Sequence, residues 1–148
     1  MYHEPVLLNE CLEALALNPT GIYVDATFGG GGHSRAILEK LSVGKLVGFD
    51  QDADALRNQP NDERFVFVRQ NFIYLKRFLR YYDMLPVHGI LADLGVSSHQ
   101  FDVAERGFST RFEADLDMRM DQQSDVTAQD ILNSYSEASL HHIFNAYG

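Results

Sequence analysis

A single cysteine in 148 residues excludes an internal disulfide and any cysteine-based zinc cluster. Cys11 lies between Leu8 and Leu12 in a helical pattern, where a small buried hydrophobe is its expected role. Basic residues are also scarce: 12 Lys and Arg stand against 21 Asp and Glu, a net charge of −9. Phosphate contacts need Lys and Arg, so composition alone argues against a nucleic-acid partner. The deficit is deepest in residues 111–148, with two basic residues (Arg111, Arg119) and seven acids. No apolar run reaches membrane-spanning length, and residues 1–5 lack the basic start of a secretory signal. A cytoplasmic protein with no membrane partner is expected. His3, His88, His99, His141 and His142 show no metal spacing with cysteine or acids, so no metal is expected. Internal repeats and low-complexity tracts are missing too.

What remains is globular, with 45% apolar and 22% charged residues and the length of one ordinary domain. Leu7, Leu8, Cys11, Leu12 and Leu15 recur at helical spacing. After the turn Asn18-Pro19-Thr20-Gly21, the run Ile22-Tyr23-Val24 ends in Asp25, and glycines fill positions 29–32. Ile37, Leu38 and Leu41 mark a helix face. Leu46-Val47-Gly48-Phe49 is a second strand, closed by Asp50, and a short helix is expected at 53–56. Phe65-Val66-Phe67-Val68 is a third strand. Phe72, Leu75, Phe78, Leu79 and Tyr82 mark a third helix, and residues 87–92 form a fourth strand before Asp93. Residues 95–119 have no clear period and read as loops. Thr127 and Asp130 resemble a capping box, and Ile131, Leu132, Tyr135, Leu140, Ile143 and Phe144 give apolar helix faces.

Strict alternation of strand and helix predicts an α/β fold with a parallel sheet covered on both faces. Right-handed crossovers put the loops after each strand on one edge. Asp25, the glycines, Asp50, Asn71-Phe72 and Asp93 all fall on that edge, where such sheets bind ligands.

The strand, glycine loop and helix make a cradle for an anion or nucleotide, although glycine runs also occur in plain turns. The dinucleotide pattern G-x-G-x-x-G fails, because its third glycine would be Ser34 or Arg35. Asp50 stands where an acid grips a ribose in nicotinamide and adenosylmethionine enzymes alike, or else it is a surface acid at a strand end. Asp25, just before the glycines, favours the first motif of class I methyltransferases. His33 either donates to a ligand carboxylate or is an exposed polar residue at a helix start. Phe72 either stacks on adenine or belongs to the core. Lys76, Arg77 and Arg80 line the far side of the third helix, as an RNA-phosphate contact or a solvated face.

Five ordered segments then carry a specific resemblance. They are Tyr2-His3-Glu4-Pro5-Val6-Leu7-Leu8, Asp25-Ala26-Thr27-Phe28-Gly29-Gly30-Gly31-Gly32-His33-Ser34, Asp93-Leu94-Gly95-Val96-Ser97-Ser98-His99-Gln100, Glu105-Arg106-Gly107-Phe108-Ser109 and Leu116-Asp117-Met118-Arg119-Met120-Asp121. From residue 2 to the end, the chain resembles the bacterial ribosomal RNA small-subunit methyltransferase H family, also called MraW. The resemblance implies a Rossmann-like class I methyltransferase fold, with its first four parallel strands in residues 1–104 and the start of a helical insertion in residues 105–148. It implies methyl transfer from S-adenosyl-L-methionine to N4 of a cytidine in small-subunit ribosomal RNA, with the small ribosomal subunit as partner. Cofactor contacts carry over to Gly31, Gly32, His33, Asp50, Phe72, Asp93 and Gln100; no catalytic residue does. His99 departs from the family's proline. The family is about twice as long, so the chain is expected to stop within the insertion. An unpaired fourth strand would then be an apolar edge open to homodimer formation. Two other readings stand beside this one: a cofactor-binding fragment without activity, and a nicotinamide-dinucleotide-binding oxidoreductase.

Overall fold

β-Branched and aromatic runs form the strands, and a helix or helical turn follows each of the first three. The computed structural model describes residues 5–148. Tyr2, His3 and Glu4, the start of the first matched segment, lie outside the described residues. Two compact units divide between Gly95 and Val96.

The first unit contains α1 (Leu8–Leu15), β1 (Ile22–Asp25), α2 (Gly32–Lys40), β2 (Lys45–Asp50), β3 (Phe65–Arg69), α3 (Leu75–Tyr81) and β4 (Gly89–Leu91). Short 3-10 turns occupy Ala53–Asn58 and Phe72–Tyr74. The four strands form one parallel sheet in the order β3-β2-β1-β4. The chain therefore steps outward from β1 to β3, then returns to lay β4 on the other side of β1. This reversal is the switch point of a Rossmann-like sheet, and it opens a crevice beyond the strand C-termini.

Neighbouring residues on a strand face opposite sides of the sheet, so the alternation builds two cores. Tyr23 and Leu46 pack with Phe28, Ile37, Leu38 and Leu41 on one side, where Leu12 and Leu15 of α1 join them. Val24, Val47 and Phe49 pack with Val68, Leu79 and Met84 on the other. Cys11 is half-buried rather than buried, because α1 only borders its core. β4 is shorter than the expected 87–92; its last ladder contact is the Ala26 N–H donating to Leu91 O at 2.8 Å.

The second unit, Val96–Gly148, holds α4 (Ser98–Asp102), a 3-10 turn at Ala104–Arg106, α5 (Ala128–Ser134) and α6 (Glu137–Tyr147). The expectation of loops through 95–119 is corrected by α4 and the turn after it. A five-residue helix is too short to show a 3.6-residue period; the capping box between Ser97 and Gln100 sets it instead. The expected capping box of Thr127 and Asp130 is present, with Thr127 N–H donating to Asp130 Oδ2 at 2.9 Å. No residue of α5 or α6 is buried, and Leu132, Tyr135 and Phe144 are exposed. Among the described residues, no helix is long and apolar enough to cross a membrane.

Candidate functional site

The end of β1 fixes the glycine loop. Asp25 is 1% exposed. Its Oδ1 accepts the Thr27 N–H at 3.1 Å, and its Oδ2 accepts the Ser34 hydroxyl at 2.7 Å. The carboxylate thus ties the strand end to the first turn of α2. Burial raises its pKa above the ordinary 3.8, against the opposing hydrogen bonds from Ser34 and Thr27. Gly31 caps α2 at φ 73°, in the left-handed region, and a Cβ there would lie 2.8 Å from the Phe28 ring. A Cβ on Gly32 would strike Pro5. The loop carbonyls are held from outside: Asn58 Nδ2 donates to Gly29 O at 2.9 Å and Arg35 Nη1 donates to Gly30 O at 2.7 Å. The first N–H groups of α2 have no acceptor within the helix, which suits an anionic ligand group.

Asp50 closes β2 beside this loop. Its Oδ2 accepts the Gly29 N–H at 2.7 Å and its Oδ1 accepts the Asp52 N–H at 2.9 Å. Burial again raises the carboxyl above 3.8, although these backbone donors pull it down. Backbone N–H groups of Asp52, Gly29 and Gln51 face the carboxylate, and its remaining lone-pair positions can still accept from ligand hydroxyls. After β3, Asn71 Nδ2 donates to Gln51 Oε1 at 2.9 Å, linking the loops that follow β2 and β3. Phe72 comes next, in the 3-10 turn, and is 42% exposed. It belongs to neither core cluster, so of its two readings the core one is overturned. Its turn starts before α3, off the face that packs on the sheet. Across the switch point, the Asp93 N–H donates to Thr27 Oγ1 at 2.7 Å, and the Asp93 side chain is exposed.

Six of the seven expected contacts therefore follow strand ends on one sheet edge: Gly31, Gly32, His33, Asp50, Phe72 and Asp93. His33 is 7% exposed, which corrects the reading of an exposed polar residue. Its Nε2 lies 3.1 Å from Val6 O. A carbonyl only accepts, so Nε2 carries the hydrogen. His33 thus fixes the segment before α1 against the start of α2. Gln100 belongs to the second unit, where it is buried, completes the cap with Ser97 and directs Nε2 to Met120 Sδ at 3.3 Å. The residues missed from sequence are Thr27, Ser34, Arg35 and Asn58. Ser34 had a visible signal: it occupies the position where the dinucleotide pattern wants glycine.

The MraW methylase family matches the chain over residues 1–148. Proteins named ribosomal RNA small subunit methyltransferase H are similar to it. The one from Flavobacterium johnsoniae is 58% identical over 148 residues, covering 99% of this chain and 49% of that protein. The one from Bacteroides fragilis strain ATCC 25285 is 59% identical over 148 residues, with the same coverage. The chain thus spans about half the length of these curated relatives. Among solved structures, an rRNA methylase from Streptococcus thermophilus is 27% identical, with a TM-score of 0.41 and coverage of 54% of this chain and 51% of that one.

Proposed function

Because the chain belongs to the MraW methylase family, we propose that its sheet rim binds S-adenosyl-L-methionine for methyl transfer to N4 of a cytidine in small-subunit ribosomal RNA. Residues 1–104 are the cofactor-binding portion, and residues 105–148 begin a helical region that meets the substrate. The observation that carries this reading is the Asp50 carboxylate, hydrogen-bonded to Gly29 and still able to accept from a vicinal diol beside the switch point.

The rim's chemistry suits the cofactor. Asp50 would hold the ribose hydroxyls, and the half-exposed Phe72 ring offers an apolar face to adenine. The donors at the start of α2 would take the carboxylate of the methionine end, and Gly31 and Gly32 let the loop close on Phe28 and Pro5 so that these donors are held in place. His33 supports this end by anchoring Val6. Asp93 adds a negative charge where the ligand carries a sulfonium, and Thr27 fixes its backbone. When bound, the cofactor supplies a methyl group already activated by its positive sulfur.

The protein's remaining task is to orient the target. A cytosine N4 is a weak nucleophile because its lone pair is delocalised into the ring. It must be held in line with the methyl group, about 3 Å away, and the base must leave its stack to get there.

A melting experiment tests the reading. S-Adenosylmethionine at about 100 times its dissociation constant should stabilise the chain by about 2.7 kcal/mol, and NAD should not. An unmoved Tm with S-adenosylmethionine, or an equal rise with NAD, would overturn it. Labelled methyl transfer to small-subunit ribosomal RNA tests the substrate.

A further inference from the structure

We infer that the outer face of α3, with the turn before it, is a docking surface for single-stranded RNA; this rests on the reading that RNA is the substrate. Residues 65–82 contain Arg69, Lys76, Arg77 and Arg80 and no acid, leaving eight of the 12 basic residues to face all 21 acids elsewhere. Three of the four, Lys76, Arg77 and Arg80, lie on α3, within a stretch free of acids.

The inner side of α3 is accounted for. Leu79 is fully buried, and Leu75 and Phe78 pack beside it against Val24, Val47 and Phe49. The outer side is not. Ile73, Tyr74, Lys76, Arg77, Arg80 and Tyr81 line a shallow concavity of about 640 Å³. On α3, Arg77 and Tyr81 stand four apart, as do Lys76 and Arg80, so each pair shares a helix face.

The cations of α3 are not spent on internal ion pairs. Arg57, Arg64, Arg111 and Arg119 each pair with an acid, at Asp54, Asp62, Asp102 and Asp117. Among the described residues, Lys76, Arg77 and Arg80 have neither an ion pair nor a side-chain hydrogen bond. Like charges four apart weaken a helix, so Lys76 and Arg80 are a cost that an anionic partner relieves.

The aromatics select the kind of anion. Tyr81 is 79% exposed and Tyr74 45%. Tyr82 stands edge-on to Tyr81 at 5.1 Å and 80°, which fixes the direction of the Tyr81 ring. Cations tracking a backbone, interleaved with aromatic faces for bases to stack on, are the means by which proteins bind single strands. A duplex hides its base faces.

The test is fluorescence anisotropy with a labelled single-stranded fragment of small-subunit ribosomal RNA, using the 148-residue chain. The triple variant Lys76→Gln, Arg77→Gln, Arg80→Gln should bind at least tenfold more weakly. Its salt slope should flatten by about two, at about 0.7 per lost phosphate contact. The pair Tyr74→Ala, Tyr81→Ala should lose about tenfold with the slope kept. S-Adenosylmethionine affinity should be unchanged in both, which shows that the fold is intact. Wild-type RNA affinity in these variants would overturn the surface, as would duplex RNA competing as well as the single strand. Loss of binding to a ribosomal protein, with naked RNA unaffected, would reassign the face to a protein partner. Methyl transfer that persists while the surface fails leaves the proposed function standing; a chain that binds neither cofactor nor RNA removes both.

Discussion

The sheet rim and the second unit handle their acids in opposite ways. At the rim, Asp25 and Asp50 are withdrawn from water, and desolvation raises both above the ordinary carboxyl value. Each has one partner two residues on, Thr27 or Asp52, and a second one farther along the chain: Ser34 for Asp25, Gly29 for Asp50. In the second unit, Asp117 is lowered by hydrogen bonding to Arg119 and Asp130 by hydrogen bonding to Thr127. These partners sit two or three residues away. The first arrangement costs free energy to ionise, and folding across the sheet maintains it. The second is nearly free and local. A ligand site belongs with the first kind, because held, partly desolvated charge is what a cofactor exploits.

The sharpest way to break the comparison is to remove Asp25. Asp25→Ala leaves the Ser34 hydroxyl and the Thr27 N–H without their acceptor in a buried place. We expect a loss of about 3 kcal/mol by urea unfolding. A loss no greater than that of Asp117→Ala would erase the distinction between the regions. Asp50→Ala is the next largest effect and acts on binding. It should weaken S-adenosylmethionine at least tenfold, about 1.4 kcal/mol, by calorimetry. Unchanged affinity would reduce Asp50 to a brace for Gly29. Thr127→Ala should cost about 1 kcal/mol, the usual worth of an N-cap, and should leave cofactor affinity untouched. Altered cofactor affinity in that variant would show that the local unit is not local.

The same contrast explains what could be read in advance. Strands and their terminal acids were legible because a short apolar run closed by an acid is a local signal; Asp25 and Asp50 end β1 and β2 as expected, while Asp93 falls two residues past the end of β4. The Thr127–Asp130 cap was legible for the same reason, as a spacing of three. The contacts that shape the loop were not. Asn58 reaches Gly29 across 29 positions, and Thr27 meets Asp93 across 66. Such pairs exist only after β2 and β4 have flanked β1. His33 shows the limit: its position at a helix start was evident, but its partner Val6 depends on how the segment before α1 returns over the loop. α4 was missed because five residues carry no period.

pH offers the smallest effect and the most direct comparison. As pH rises from 3.8, an unfolded Asp25 ionises freely while the buried one resists, so the folded state holds the extra proton. Stability therefore falls as pH climbs from 3.8 through the raised folded value, and Asp50 adds to the fall. Asp117 works the other way. Its folded value lies below 3.8, so its contribution is present above that value and is lost as pH drops through the lowered one. Urea unfolding of Asp25→Asn across the acid range should flatten the decline above 3.8 and leave the decline below it. Asp117→Asn should do the reverse. If Asp25→Asn leaves the upper limb unchanged, the Asp25 carboxyl is as well solvated as a surface one, and the rim owes its shape to the glycines alone.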